Sequence, residues 1–113
     1  MNRLNLLVLR CNDIDRARTF YELLGLRFQQ HAHGTGPLHF AYEDDRGVIE
    51  LYPADAANPA DQVGLGFTVE DLAASRVRLE QASHKPGEIR DREWGRTFVV
   101  RDPEGRRVEV KQG

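Results

Sequence analysis

One cysteine, one tryptophan and one methionine occur in 113 residues, and the scarcities exclude several kinds of chemistry. With Cys11 alone, no internal disulfide, thiolate metal site or redox pair can form, and the thiol reads as a small buried hydrophobe. No apolar run approaches the roughly 20 residues needed to span a bilayer, so no membrane partner is expected. Met1-Asn2-Arg3 leads straight into an amphipathic strand rather than a secretory signal, which points to a cytoplasmic protein. Charge of one sign is also lacking: 16 Lys and Arg against 18 Asp and Glu leave a net charge of −2, with no general attraction to nucleic acid. There is no low-complexity tail, and the length suits one core rather than two independent ones.

What is present is a repeat. Asn12-Asp13-Ile14-Asp15-Arg16-Ala17-Arg18 follows an apolar run, and 58 residues later Glu70-Asp71-Leu72-Ala73-Ala74-Ser75-Arg76 follows another. The same offset relates Leu7 to Leu65, Leu9 to Phe67, Phe40 to Phe98, Asp44 to Asp102 and Gly47 to Gly105. After one inserted residue, Ile49-Glu50-Leu51 matches Val108-Glu109-Val110. Two copies with so long a period signal duplication, not a solenoid.

Each copy opens with the alternation of a half-buried strand, over about 4–11 and 63–69, and an acidic or amide N-cap then starts a helix. The first helix, about 14–24, carries Ile14, Ala17, Tyr21 and Leu24 on one stripe and ends at Gly25. The second, about 72–82, uses Leu72, Val77 and Leu79, and Pro86-Gly87 breaks the chain beyond it. Three short strands complete each copy, at about 26–32, 37–43 and 47–52, and at about 88–91, 96–101 and 106–111. The expectation is one α+β domain over 1–113. Module one covers about 1–53, a linker about 53–62, and module two about 63–113.

Alternate strand residues face opposite ways. Leu7, Leu9, Cys11, Leu65, Phe67 and Val69, with Ile49, Leu51, Val108 and Val110, make a helix-packed face. The other face holds Leu6, Val8, Arg10, Gly64, Gly66 and Thr68 in the opening strands, and Glu50, Tyr52, Glu109 and Lys111 in the closing ones. A four-residue turn at Asp44–Gly47 sets Ala41 opposite Glu50 and His39 opposite Tyr52; a five-residue loop at the matching turn sets Val99 opposite Glu109. Asp102 and Gly105 read as structural turn residues.

Two segments carry a family likeness: Asn12 to Tyr21 running on through Leu24-Gly25-Leu26, and Trp94-Gly95-Arg96 through Asp102-Pro103-Glu104-Gly105 to Val108-Glu109-Val110. They resemble the helix-opening and closing-hairpin signatures of the vicinal oxygen chelate superfamily of glyoxalases, ring-cleaving dioxygenases and bleomycin-resistance proteins. The resemblance implies two βαβββ modules forming a cupped eight-stranded mixed sheet around a cavity, and a homodimer. Metal-dependent members place ligands on the first and fourth strands of each module. Carried over, those positions are Leu6, Glu50, Gly64 and Glu109, of which only the glutamates can donate to a metal.

Glu50 and Glu109 are therefore the informative pair, able to act as acid and base, to hold a cation, or to be neutralised by Arg10, Arg107 or Lys111 on the same face. His39 could add a nitrogen donor, while Trp94 and Tyr52 could stack on a flat ligand. His31 and His33 read as exposed, His84 as a helix-terminus charge, and Arg16, Arg18, Arg76 and Arg78 as a solvated face. The leading expectation is a protein that sequesters an apolar or aromatic small molecule without cofactor, in a cavity lined by Leu6, Val8, Tyr52 and the two glutamates. The alternative is a glyoxalase-type lyase or isomerase whose divalent metal is held by Glu50 and Glu109, with His39 or water supplying the missing donors. A third possibility is a subunit with a vestigial cavity that serves interaction alone.

Overall fold

The structure is a computed structural model and describes residues 2–113. Each half runs strand, helix, three strands: β1 (Leu6–Cys11), α1 (Ile14–Glu22), β2 (Gln29–His31), β3 (His39–Asp44) and β4 (Gly47–Pro53), then β5 (Leu65–Val69), α2 (Leu72–Gln81), β6 (Arg90–Arg92), β7 (Gly95–Arg101) and β8 (Arg107–Gln112). The eight expected strands divide into two mixed four-stranded sheets, ordered β1-β4-β3-β2 and β5-β8-β7-β6. In each, the opening strand runs parallel to the closing one and the remaining pairs are antiparallel. The registers match the turn arithmetic, with Ala41 opposite Glu50 and Val99 opposite Glu109.

Local chemistry explains the elements. Asp13 caps α1 by accepting from the Arg16 amide, and Asp71 caps α2 by accepting from the Ala74 amide, each satisfying an orphan N–H of the first turn. Gly25, at φ +95°, ends α1 in the left-handed conformation that glycine adopts without strain. At the β3–β4 turn, Asp44 Oδ1 accepts from the amides of Arg46 and Gly47. A Cβ at Gly47 would stand 2.6 Å from the Asn5 carbonyl oxygen, so this glycine lets the turn press against the approach to β1.

A single core cluster takes residues from both halves: Leu9, Phe20, Tyr21 and Leu51 from the first, Leu79, Phe98 and Val110 from the second. Burying each such side chain contributes about 1.5–3 kcal/mol. The stripe on α2 differs from expectation. Leu72, Ser75 and Leu79 are buried and Val77 is 48% exposed, because position 77 lies five residues after 72 and turns to the opposite side.

One buried polar network joins the halves, and it centres on Arg106, a residue that sequence reasoning did not single out. Its guanidinium donates to Asp61 Oδ1 at 2.7 Å, to Asp102 Oδ2 at 3.0 Å and to the Arg10 carbonyl, while Asp61 Oδ2 accepts from the Arg10 amide. Asp102 Oδ2 also accepts from the Tyr21 hydroxyl. Burial raises the Asp61 carboxyl pKa, but hydrogen bonds from Arg106 and the Arg10 amide outweigh it and hold the carboxyl below its ordinary value. Burial, then the Asp102 carboxylate, pushes the Tyr21 hydroxyl far up. Burial likewise lifts the Cys11 thiol to about 11, so it stays protonated beneath the network.

The arginines expected on a solvated face are in part put to structural use. Arg18 lies 4.5 Å over the Phe40 ring, Arg76 donates to the carbonyls of Pro86 and Gly87, and Arg78 donates to the Leu23 carbonyl. His84 sits edge-on to Phe20 at 5.0 Å rather than standing free at the helix end.

Candidate functional site

On the face away from α1, sheet one presents ordered cross-strand rows. Val8, Glu50, Ala41 and Gln29 form one row, since each is the register partner of the next. The row beside it runs Arg10, Tyr52, His39, His31. The side chains in this second row stack. Arg10 lies 4.9 Å over the Tyr52 ring, and Tyr52 lies 4.1 Å from His39 with the rings 11° from parallel. Both faces of Tyr52 are thus covered, and it is not free to stack on a flat ligand as sequence reasoning allowed.

His39 is only 2% exposed. Its Nδ1 is 3.2 Å from the Pro37 carbonyl, which can only accept, so Nδ1 carries the hydrogen. In the neutral ring Nε2 is then an acceptor, met by the Tyr52 hydroxyl at 3.3 Å. Glu50 Oε2 stands 3.6 Å from the same nitrogen, close enough to pair ionically if the ring gains a second proton. Neither Arg10 nor any other Arg or Lys forms an ion pair with Glu50 among the described residues; its neighbour is an imidazole.

Sheet two repeats the rows with different contents. Gly66, Glu109 and Val99 occupy the row equivalent to that of Glu50, and Thr68, Lys111, Thr97 and Arg90 the next. The Trp94 indole N–H, on the β6–β7 turn, donates to both oxygens of Glu109 at 3.2 Å. Trp94 remains 57% exposed, so it does not plug the core, and its ring is available at the surface. A Cβ at Gly64 or Gly66 would meet nothing closer than a carbonyl oxygen at 3.9–4.0 Å, so these glycines leave space rather than answer a backbone need.

Among the described residues, two cavities beside the sheets take in little of the expected site. A cavity of about 230 Å³ lies where β1 and β4 meet β5, between Leu7, Tyr42, Ile49, Leu65 and Phe67, and of the expected ligand residues only Leu6 borders it. A wider cleft of about 810 Å³ runs from Gly66 and Thr68 to Ser75 and Arg78. Glu50, Glu109, Val8, His39, Tyr52 and Trp94 line neither.

The residues present fit the metal of metal-dependent relatives poorly. Of the four positions carried over, Leu6 and Gly64 have no donor, and Glu109 is engaged by Trp94. Among the described residues no three His, Cys, Asp or Glu side chains stand together at ligating positions. Sequence reasoning missed the clustering of His31 and His33 with His39; the signal was the alternation 31, 33 on a strand that pairs with β3.

The sequence model of the Glyoxalase/Bleomycin resistance protein/Dioxygenase superfamily matches residues 3–110. No curated protein matches the chain in sequence. Among solved structures the fold is similar to TnmS3, an antibiotic binding protein from Streptomyces sp. CB03234, at 20% identity and a TM-score of 0.81, covering 99% of this chain and 96% of that one. It is similar to oxidase ChaP-H1 at 20% identity and a TM-score of 0.77, covering 97% and 94%. It is similar also to lactoylglutathione lyase from Agrobacterium tumefaciens at 22% identity and a TM-score of 0.68, covering 100% and 95%.

Proposed function

We propose, from the premise that this chain belongs to the Glyoxalase/Bleomycin resistance protein/Dioxygenase superfamily, that it binds an apolar or aromatic small molecule without using a metal. Occupancy of the four metal-ligand positions carries the reading: two residues there lack donor atoms, and the carboxylates at the other two already face His39 and Trp94. The exposed indole of Trp94 offers a flat apolar surface, Glu109 an acceptor beside it, and Gly64 and Gly66 a floor without side chains. A basic or hydrogen-bond-donating group on the ligand is the complement of Glu50 and Glu109. A second copy in a homodimer would cover the exposed Trp94 and complete the site. TnmS3 is an antibiotic binding protein of the same fold, which supports a sequestering role.

Thermal-shift screening tests this. Aromatic compounds bearing a basic group should raise the melting temperature in the presence of chelator; no stabilisation by any such compound would overturn the reading.

The competing reading is a glyoxalase-type lyase or isomerase with a divalent metal on Glu50 and Glu109. The 3.6 Å approach of His39 Nε2 to Glu50 favours it, since a nitrogen and an oxygen at that separation could share an ion. Turnover of a glutathione hemithioacetal that is abolished by chelator would select it.

A further inference from the structure

We infer that Thr68, Lys111, Thr97 and Arg90 form an oxyanion subsite on sheet two, so that the ligand of this face carries an acidic group, carboxylate or phosphate, in addition to its aromatic and basic parts. The inference rests on the reading of that face as a ligand site and narrows the molecules it admits.

Register sets the four residues in one line. Thr68 pairs with Lys111, Lys111 with Thr97 and Thr97 with Arg90, across all four strands of the sheet. Strands about 4.8 Å apart place the two cations on either side of Thr97, with about 10 Å between their backbones. Long flexible side chains close that gap. All four residues offer hydrogens, and none is engaged within the protein: among the described residues neither threonine hydroxyl, nor the Lys111 ammonium, nor the Arg90 guanidinium has a hydrogen-bond or ion-pair partner.

Thr97 is the most telling of the four. It is 2% exposed, and a buried hydroxyl ordinarily finds a partner. Among the described residues the one sealed side-chain polar atom left without a partner is Arg18 Nε, so the Thr97 hydroxyl opens onto its face of the sheet, the face it shares with Lys111.

Lys111 is aimed rather than loose. A Cβ at Gly95 would stand 2.9 Å from its Cδ and 3.1 Å from its Cγ, so the missing side chain is the groove in which the lysine stem lies. Gly95 adjoins Trp94, whose indole N–H reaches Glu109, two residues before Lys111. An acid on the ligand therefore meets Lys111 about 7 Å along the strand from the group that meets Glu109.

The duplicated positions in sheet one show how such a row closes. Arg10, Tyr52, His39 and His31 stand there, with Arg10 over the Tyr52 ring and the three rings stacked in turn. Sheet two has no ring in the row, and its two small hydroxyl side chains leave the space beside the cations open.

Nuclear magnetic resonance titration of the full chain with 4-(aminomethyl)benzoate, its methyl ester, benzylamine and inorganic phosphate tests the subsite. The acid should shift the amides of Thr68, Arg90, Thr97 and Lys111 and bind roughly 10-fold or more tightly than the ester, the equivalent of one charge-assisted hydrogen bond. Lys111→Met, which keeps the stem over Gly95, and Arg90→Gln should each shrink that preference and together remove it. Spectral dispersion shows whether each variant is folded, and each single variant is read separately, so misfolding of one leaves the other as the test. Equal affinity for acid and ester, a preference that survives both substitutions, or no shift at the four amides overturns the subsite, while benzylamine binding would still uphold the basic aromatic reading. Failure of benzylamine and the ester to bind where the acid still does would overturn the basic group proposed for Glu109 and uphold the subsite. Phosphate bound more tightly than the acid would assign the row to a free anion and overturn the claim that the ligand carries it.

Discussion

The Tyr21 hydroxyl donates to Asp102 Oδ2 at 2.6 Å across 81 residues of sequence, joining the helix of one half to the closing turn of the other. The contact is buried and shares its carboxylate with Arg106, so neither half satisfies its polar groups alone.

Arg106→Met should therefore cost about 3–5 kcal/mol, because it leaves the carboxylates of Asp102 and Asp61 without their buried counter-charge. Urea denaturation followed by circular dichroism reads the loss. Tyr21→Phe, which removes one bond to a charged acceptor and keeps the ring, should cost about 1.5–3 kcal/mol.

Stability should decline as pH falls from 7 toward 5, in part through His84. Burial and then the nearby Arg16 hold its pKa below the ordinary 6.5. The unfolded chain thus takes up a proton before the folded chain does, so this contribution is complete above about 6.5 and shrinks as pH falls through the folded value. His84→Phe keeps an aromatic ring against Phe20 and should flatten that part of the pH profile. An unchanged slope would assign the dependence elsewhere.

Trp94→Ala and Glu109→Gln should leave the melting temperature within about 2 °C of wild type, since surface changes cost little. Each should weaken binding of a basic aromatic compound roughly 10-fold or more, the equivalent of one lost charged hydrogen bond or stacking contact. Isothermal titration with a hit from the thermal-shift screen measures it.

Gly66→Val is the sharpest test of the proposed floor. The nearest atom to its Cβ is 3.9 Å away and valine favours strands, so the variant should fold at least as stably as the parent. Its isopropyl group would rise beside Glu109 and should block the ligand. Retained affinity would move the site off sheet two.

Most of the fold is legible in the sequence because duplication writes it twice. The helix caps at Asp13 and Asp71, the turn at Asp44–Gly47 and the pairings Ala41–Glu50 and Val99–Glu109 all follow from local rules and parity. Val77 was misjudged because one apolar residue off a weak stripe carries no periodic signal. Arg106 was invisible for a different reason. Its partners lie at positions 10, 61 and 102, and nothing in the order of residues brings a linker aspartate to a turn arginine. Parity places Glu50 opposite Ala41 and Glu109 opposite Val99 on equivalent strands of the two sheets, but it does not choose their neighbours: long arginine and lysine side chains reach many places, and here an imidazole stands near one carboxylate and an indole near the other.

Arg106 also limits how such a chain can be divided. Cutting between positions 53 and 61 would yield one fragment with Tyr21 and Cys11 laid bare and another holding a cation whose acceptors include the Arg10 carbonyl it had lost. Each piece is a near-copy of the other in topology, yet neither is autonomous. One guanidinium, by drawing acceptors from both units and from the segment between them, makes the two copies interdependent.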